Sequence, residues 1–327
     1  MSRSVSRVSA PGRGADLVVV SVSAPAERAP AGRGPVVVVT ANLHGDECTG
    51  TGAVLRLIPI LEAQLLSGTV HLYPSLNPDG LERRVRRFPE DDQDLNRLFP
   101  GDPSGAPGER LAHAAWTDLT ARRPDLVVDL HADAPGAVPY ALLDRAVSLQ
   151  GEARVRLEAE AARLAVATGL TVIREYPDDR YLRFRLDRSL SGAALNRLSV
   201  PTVTIEAGPR LVLDADAVDV TVRAVLGMLS AIGMLAAAPP PAVTPMPGGP
   251  WRRESGPRAS AKGVLVPRVG PGVLLDKGAV VAEIRSLAGL LLQEVVAEAP
   301  GFVLAPAERA YVVAGVPICT WAMAEHP

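Results

Sequence analysis

The segment VVVVTANLHGDE, residues 36–47, decides the fold of this chain. It begins with a continuous run of β-branched residues, which is typical of a strand buried on both faces of a sheet. A short polar loop follows, and residues 52–66 then carry apolar residues at helical spacing until Ser67 and Gly68 end the pattern. A strand, a loop and a helix in this order favour an α/β fold.

The same alternation continues along the first two-thirds of the chain. Strands are predicted over residues 69–73, 126–130, 171–174 and 201–205, and helices over residues 109–122 and 152–167. The apolar stretch 220–238 is interrupted by Arg223 and predicts a buried helix, not a membrane span. The fold class predicted is therefore α/β, with a mixed, mostly parallel sheet flanked by helices.

A change of composition divides the chain near its C-terminal quarter. Residues 238–250, APPPAVTPMPGGP, form a Pro/Gly-rich connector, and short β-like pieces separated by Gly and Pro follow it. We predict a catalytic domain over residues 1–237, the connector over 238–250, and a small all-β sandwich domain over 251–327.

Composition excludes several classes of partner. The formal charge of −2 and the aromatic content of 4% give no reason to expect nucleic acid or an anionic membrane. The two cysteines, Cys48 and Cys319, lie far apart, so a disulfide framework is not expected. No apolar run typical of a secretory signal stands at the N-terminus, and we expect a cytoplasmic protein.

Polar side chains with metal-ligand chemistry follow two of the predicted strands. His44 and Glu47 are three residues apart across a glycine-containing turn, and His131 ends the strand VVDLH at residues 127–131. Open α/β sheets place their ligands at the carboxyl ends of strands. Two His and one Glu, with a fourth position open to water, form a common catalytic zinc set. A single His at a strand end is more often structural, but the combination favours one Zn²⁺ per chain.

A base for such a site is offered by Glu206, which follows the strand that ends in TIEAGP, residues 204–209. Its carboxylate would face the same edge and could accept a proton from water. The alternative is that Glu206 only caps the turn at Ala207 and Gly208.

A charged loop between residues 77 and 101 offers groups for an acidic substrate. The adjacent pair Asn96 and Arg97 supplies donors suited to a carboxylate. For Arg83 and Arg84 we prefer a solvated loop. Several other polar residues stay open between a role at the site and a structural one: Asp46, Asp129, Asp133, Tyr181, Arg183 and Arg185.

Together these motifs resemble the succinylglutamate desuccinylase/aspartoacylase family, a branch of the zinc carboxypeptidase fold. The resemblance covers roughly residues 35–325 and rests on HGDE, NPDG, RF followed by DLNRLFPG, DLH and IEAG, all in the family's order. It implies that His44, Glu47 and His131 bind zinc and that Glu206 is the general base.

The resemblance also implies roles for residues around the metal. Arg87, which precedes Phe88, would polarise the scissile carbonyl, and Arg86 is the fallback because the doubled arginines leave the alignment ambiguous by one. Asn96 and Arg97 would hold the substrate carboxylate. The C-terminal domain would be a biotinyl/lipoyl-like sandwich, and neither Lys262 nor Lys277 has the setting of a carrier lysine.

The function predicted is zinc-dependent removal of an acyl group from an N-acylated amino acid or related small amide that carries a carboxylate. A metallocarboxypeptidase acting on peptide C-termini is the nearest rival, and a catalytically silent binding protein is a more remote one. The only partner expected is the small-molecule substrate, and assembly into a homo-oligomer is left open.

Overall fold

A computed structural model describes residues 2–9, 16–25 and 34–325. The chain carries fifteen labelled strands within these ranges. In chain order they are β1 (Ser2–Val8), β2 (Leu17–Ser23), β3 (Val36–Ala41), β4 (Thr69–Tyr73), β5 (Leu126–His131), β6 (Tyr140–Leu143), β7 (Thr171–Arg174), β8 (Thr202–Glu206), β9 (Trp251–Ser255), β10 (Gly263–Pro267), β11 (Val280–Arg285), β12 (Leu291–Val296), β13 (Gly301–Pro306), β14 (Tyr311–Val312) and β15 (Cys319–Ala324).

The helices lie between the strands of the first two-thirds. They are α1 (Thr49–Gln64), α2 (Pro78–Arg83), α3 (Pro107–Ala121), α4 (Gly151–Ala167), α5 (Asp178–Arg183), α6 (Leu190–Ala193) and α7 (Ala215–Ala231). Short turns of 3-10 helix at Leu95–Arg97 and Leu186–Arg188 and a π-helical turn at Ala194–Leu198 complete the set. Within the described residues no helix is long and apolar enough to cross a membrane.

The centre of the molecule is a parallel array in the order β4-β3-β5-β8. The valine run of β3 is continuous because both faces of this array are covered. Val37 and Val39 pack into the layer that contains α1, α4 and α7, whereas Val38 packs into the opposite layer with α3. A strand covered on both faces needs apolar residues at every position, which is why the sequence shows no alternation there.

Antiparallel and parallel strands extend this array on both sides. β2 pairs antiparallel with β4, and β1 pairs antiparallel with β2 at the edge of the sheet. On the other side β6 runs antiparallel to β8, and β7 runs parallel to β6. The sheet is thus mixed with a parallel centre, and the predicted α/β fold class is confirmed.

The C-terminal quarter contributes to two sheets. β9, β15 and β13 continue the large sheet, because β9 pairs with β7. β12, β11, β10 and β14 form a separate four-stranded antiparallel sheet. Ile284 of the small sheet and Trp321 of the large one share a hydrophobic cluster, so the two sheets face each other across a common core.

This arrangement bears on the predicted domain division. Residues 251–325 contain strands and turns but no helix, as expected for an all-β segment. Its first strand nevertheless pairs with the large sheet, at Ile173 opposite Trp251. The boundaries 1–237, 238–250 and 251–327 stay a prediction, and residues 1, 10–15, 26–33 and 326–327 of those ranges lie outside the described chain.

Strand register brings the functional side chains to one edge. Ala41 at the end of β3 lies opposite Leu130 of β5, and His131 lies opposite Glu206 of β8. The loops that leave β3, β5 and β8 therefore start side by side at the carboxyl edge of the parallel array, where α/β sheets bind their ligands.

Candidate metal centre and active-site pocket

A cavity of about 380 Å³ opens at this carboxyl edge. A volume of that size suits a small-molecule ligand. Most of the site residues predicted from the sequence line it, namely His44, Glu47, Arg86, Asn96, Arg97, His131 and Glu206.

His44, Glu47 and His131 meet at one point of the cavity wall. His44 Nδ1 lies 2.8 Å from Glu47 Oε1, and His131 Nδ1 lies 2.7 Å from Glu47 Oε2. All three residues are 3% exposed, and one ligand atom from each can be chosen so that all lie within 4.8 Å of one another. We call these three residues the metal wall of the cavity.

The loop that carries His44 and Glu47 is held by a residue that the sequence reasoning did not single out. Asn42 takes a left-handed backbone conformation with φ 54°, and its side-chain amide donates to the carbonyls of His44, Gly45 and Glu47 at 2.9–3.1 Å. A Cβ on Gly45 would stand 2.2 Å from the main chain of Gly80. The turn therefore packs against the start of α2, and only glycine fits there.

Asp129 resolves one of the alternatives left open by the sequence. Its Oδ2 lies 2.9 Å from His131 Nε2, and its Oδ1 accepts a 2.7 Å hydrogen bond from Thr40 Oγ1. A carboxylate on the far nitrogen of a histidine fixes the tautomer and directs the other nitrogen to a metal. In this geometry Nδ1 of His131 is the nitrogen that points to Glu47.

The charges at the metal wall are mutually compensating. Burial by itself would raise the pKa of Glu47, but the neighbouring His44 and His131 hold it well below its usual range. Burial would lower the pKa of His131, but Asp129 and Glu47 raise it well above the ordinary value. A metal ion would bind to the deprotonated imidazole nitrogens and the carboxylate, so that binding would release the proton that these groups otherwise share.

The donor set fits a zinc ion. Two ring nitrogens and one carboxylate converge, and the remaining side of the group faces the cavity, as in catalytic zinc sites with three protein ligands. Within the described residues no other group of His, Cys, Asp or Glu meets the same geometry. Cys48, next to Glu47, is not part of the group.

The two adjacent arginines occupy different places, and here the structure corrects the sequence-based prediction. Arg86 lines the cavity and its Nη1 lies 2.6 Å from Glu47 Oε1. The side chain of Arg87 is 56% exposed, bonds to Asp92 and lies on a separate surface groove. The carbonyl-polarising role expected of Arg87 does not agree with this position, because its side chain does not line the cavity that holds the metal wall. Arg86, the fallback, lines the cavity instead, and its role stays a prediction.

Glu206 lies on the cavity wall beside His131. Burial raises the pKa of its carboxyl to about 8, with Asp133 and Glu47 adding to the rise and His131 opposing it. Among the described residues none donates a hydrogen bond to this carboxylate, so it is not engaged in capping the turn at Ala207 and Gly208.

Asn96 and Arg97 lie on the wall as predicted from the sequence. The Asn96 Oδ1 accepts a 2.9 Å hydrogen bond from the main chain of Leu190, which fixes the side chain. Arg97 donates to the carbonyls of Phe184 at 3.0 Å and Asn96 at 2.6 Å. Its bonds go to main-chain oxygens, and within the described ranges no carboxylate forms an ion pair with it, so its positive charge is available to the cavity.

The side of the cavity remote from the metal wall is formed by residues that sequence reasoning missed. Asp144 follows β6, Glu175 follows β7 and Arg253 lies within β9, and all line the cavity. We call these three residues the distal wall. Arg253 Nε donates to Glu175 Oε2 at 3.1 Å. Burial by itself would lower the pKa of Arg253, but Glu175 and Tyr140 raise it well above its ordinary value.

The remaining open residues divide between the cavity and the surface. Tyr181 is buried and its hydroxyl donates to Asp144 at 2.8 Å, whereas Arg183 and Arg185 are exposed. Asp133 lines the cavity and accepts a 3.0 Å hydrogen bond from the Tyr140 hydroxyl. No short motif predicts that Asp144 lines the cavity, because the residues that contact it come from distant segments of the chain.

The fold and the cavity define a class of protein, namely an α/β protein with a candidate metal centre of the hydrolase type. The family model of the succinylglutamate desuccinylase/aspartoacylase catalytic domain matches residues 33–232. The chain belongs to this family. The predicted family is thereby confirmed.

A curated relative is similar over a shorter segment. The N-alpha-acetyl-L-2,4-diaminobutyric acid deacetylase of Halomonas elongata is 37% identical over 100 residues, which are 31% of this chain. The match spans only 29% of the length of that relative.

Several solved structures share the fold over most of the chain. A succinylglutamate desuccinylase/aspartoacylase from Rhodobacter sphaeroides has a TM-score of 0.80 at 21% identity, with 99% of this chain and 96% of that chain covered. A product-bound ectoine utilization protein from Ruegeria pomeroyi has a TM-score of 0.77 at 20% identity, covering 98% and 95%. A metallo-carboxypeptidase from Burkholderia cenocepacia has a TM-score of 0.54 at 18% identity, covering 70% and 64%. The last likeness agrees with the predicted carboxypeptidase-like fold.

Proposed function

We propose that this chain is a zinc-dependent deacylase that hydrolyses the amide bond of an N-acylated amino acid. The observation that carries the proposal is the convergence of His44, Glu47 and His131 in one cavity with the cation of Arg97. A hydrolytic centre and a group for a carboxylate in the same cavity are what an N-acyl amino acid requires.

His44, Glu47 and His131 would hold one Zn²⁺, with His131 oriented by Asp129. When bound, the ion supplies Lewis-acid activation of water and of the scissile carbonyl. The two histidines and the carboxylate also leave a side open toward the cavity, which a catalytic ion needs and a structural one does not.

Glu206 would move the proton. Its carboxylate stands on the strand next to His131 and is free of hydrogen bonds among the described residues, so it can accept a proton from the attacking water. The same carboxyl can then donate that proton to the nitrogen of the departing amine. Its raised pKa, about 8, suits a group that must both take up and release a proton near neutral pH.

Arg86 would stabilise the negative charge that develops on the carbonyl oxygen. Its guanidinium already reaches the metal wall, and its side chain is 41% exposed, so part of it remains available to a ligand. Fixed donors aimed at a developing oxyanion contribute strongly to acyl-transfer reactions. Asn96 and Arg97 would bind the carboxylate of the amino acid on the neighbouring wall.

The acyl group is proposed from the relatives. The Halomonas relative is named as a deacetylase of N-alpha-acetyl-L-2,4-diaminobutyric acid, and the family is named after desuccinylation and aspartate deacylation. Acetyl and succinyl groups are therefore the first to test. A cytoplasmic location and a homo-oligomeric state remain predictions.

The test is a substrate panel assayed with the zinc-loaded protein. Nα-acetyl and N-succinyl amino acids are compared with N-blocked dipeptides that have a free C-terminus. We expect kcat/KM for the best N-acyl amino acid to exceed that for the dipeptides by at least about 100-fold. A substrate whose scissile bond is misplaced by about 1 Å loses a factor of this order in rate. Faster cleavage of the dipeptides would assign the carboxypeptidase alternative. No hydrolysis of either class at full zinc occupancy would overturn the proposal.

A further inference from the structure

Asp144 is a buried carboxylate that the proposed reaction does not use. It follows β6, is 9% exposed and lines the cavity at the distal wall. The Tyr181 hydroxyl donates to its Oδ1 at 2.8 Å, and the Ser191 hydroxyl is a second hydrogen-bond partner. Thr204 in turn donates to Ser191 at 3.1 Å, so the carboxylate is held by a fixed set of neutral donors.

Its charge is not neutralised by the protein. Among the described residues none forms an ion pair with Asp144. The nearest arginines are engaged elsewhere, because Arg253 binds Glu175 and Arg145 binds Glu325. Burial raises the pKa of Asp144 to about 6, with Glu175 adding to the rise, so the group is ionised at neutral pH at a cost to the free protein.

The other acidic groups of the cavity are placed differently. Glu206 lies opposite His131 in the sheet, and Asp133 lies two residues after His131, so both belong to the surroundings of the metal wall. Asp144 is separated from them along the sheet. β6 runs antiparallel to β8 with Tyr140 opposite Glu206. Asp144 follows β6 four residues after Tyr140, which is about 13 Å of extended chain.

A buried charge without a partner is unfavourable unless a ligand supplies the opposite charge. The cavity offers a cation at Arg97 and an uncompensated anion at Asp144, some distance from the metal wall. We propose that Asp144 binds a protonated amino group on the part of the substrate remote from the scissile amide, so that the substrate is an N-acylated diamino acid. This inference rests on the proposed function.

The ligand that follows carries three features. Its carboxylate pairs with Arg97, its acylated nitrogen lies at the metal wall, and its second amino group donates to Asp144. A neutral or acidic side chain would leave Asp144 buried and unpaired, which disfavours such substrates.

The test compares ligands that differ only by an ammonium group against a methyl group. L-2,4-diaminobutyrate is paired with L-norvaline, and L-ornithine with L-norleucine, and binding to the zinc-loaded protein is measured by titration calorimetry. We expect at least one diamino acid to bind about 30-fold more tightly than its uncharged partner, the order of effect for a buried hydrogen-bonded charge pair. In Asp144→Asn this preference should fall to within about 3-fold.

Asp179→Asn is the matched control, because it removes one carboxylate from an exposed position of α5 where Asp179 pairs with Arg183. It should leave the preference unchanged. Equal binding of both members of each pair to the unaltered protein would overturn the inference, whether or not Asp144→Asn folds. Retention of the preference in a folded Asp144→Asn would overturn it as well.

Hydrolysis of the corresponding Nα-acetyl compounds separates this inference from the proposed function. Selective binding of diamino acids without hydrolysis of any acylated form would sustain the ammonium subsite and reject the deacylase. Hydrolysis with no preference for the diamino side chain would sustain the deacylase and reject the subsite.

Discussion

The metal wall and the distal wall are both buried and both charged, but they balance their charges in different ways. On the metal wall one carboxylate, Glu47, is contacted by two imidazoles and by Arg86, and the group closes on itself around a point where a cation fits. On the distal wall Arg253 and Glu175 form an ion pair, whereas Asp144 forms no ion pair with any described residue.

The difference indicates a division of labour. A compensated centre that keeps a side open is suited to hold an ion and to perform the same chemistry on many substrates. A single uncompensated charge is suited to select among those substrates, because it favours one charge type and disfavours the others. Variants on each wall should therefore affect different quantities.

The largest effect is expected on the metal side, from Glu206→Gln. The amide cannot accept a proton from water, so kcat should fall by about 10²–10⁴-fold, the contribution typical of general acid–base catalysis. Zinc content should be unchanged because Glu206 is outside the proposed ligand set. Metal analysis and turnover on the same sample decide the point, and normal turnover would remove Glu206 from the mechanism.

A smaller effect should distinguish the two adjacent arginines. Arg86→Ala removes the guanidinium that faces the cavity and should lower kcat by about 10²–10³-fold, as the loss of one oxyanion donor does. Arg87→Ala removes a side chain that is 56% exposed and should change kcat/KM by less than about 2-fold. Steady-state kinetics on both variants checks this. A larger loss in Arg87→Ala than in Arg86→Ala would assign the carbonyl-polarising role to Arg87.

The smallest effect is expected on the distal wall and concerns stability. The folded-state pKa of Asp144, about 6, exceeds the ordinary pKa of an aspartate, so this group stabilises the fold at low pH and the contribution is lost as pH rises from about 4 to about 6. The charged and polar groups facing it are Glu175, Arg253, Tyr181 and Ser191. Asp144→Asn should therefore be at least as thermostable as the unaltered protein at pH 8.

The matched measurement is a pair of melting curves at pH 8 and pH 4.5. The melting temperature of the variant relative to the unaltered protein should be higher at pH 8 than at pH 4.5, by about 2 °C or more. The quantity compared is the melting temperature of the variant minus that of the unaltered protein. If this difference were lower at pH 8 than at pH 4.5, Asp144 would serve packing rather than binding.

The sequence predicted the parallel centre of the fold because each of its strands is rich in β-branched and apolar residues. β4 and β7 have the predicted bounds, β3 and β5 are one residue longer than predicted at their C-terminal ends, and β8 is displaced by one residue at both ends. β1 was not predicted, since its residues are exposed and SRSVSRV shows no apolar pattern. β6 was missed as well, because its four residues, YALL, include no β-branched side chain.

The two walls also differ in how far the sequence predicts them. His44 and Glu47 lie in one short motif directly after a buried strand, so their proximity follows from local geometry. Asp144 meets Tyr181 and Ser191 through tertiary packing of β6, α5 and α6, which no spacing along the chain reveals. The choice between Arg86 and Arg87 likewise depended on which side of the loop faces the cavity.

The metal wall itself is tested most directly by crystallography of the zinc-loaded protein, with data recorded on both sides of the zinc absorption edge. We expect one anomalous peak per chain at about 2.1 Å from His44 Nδ1, His131 Nδ1 and a carboxylate oxygen of Glu47. A zinc peak bound by other residues, or none at these three side chains at full zinc loading, would contradict it.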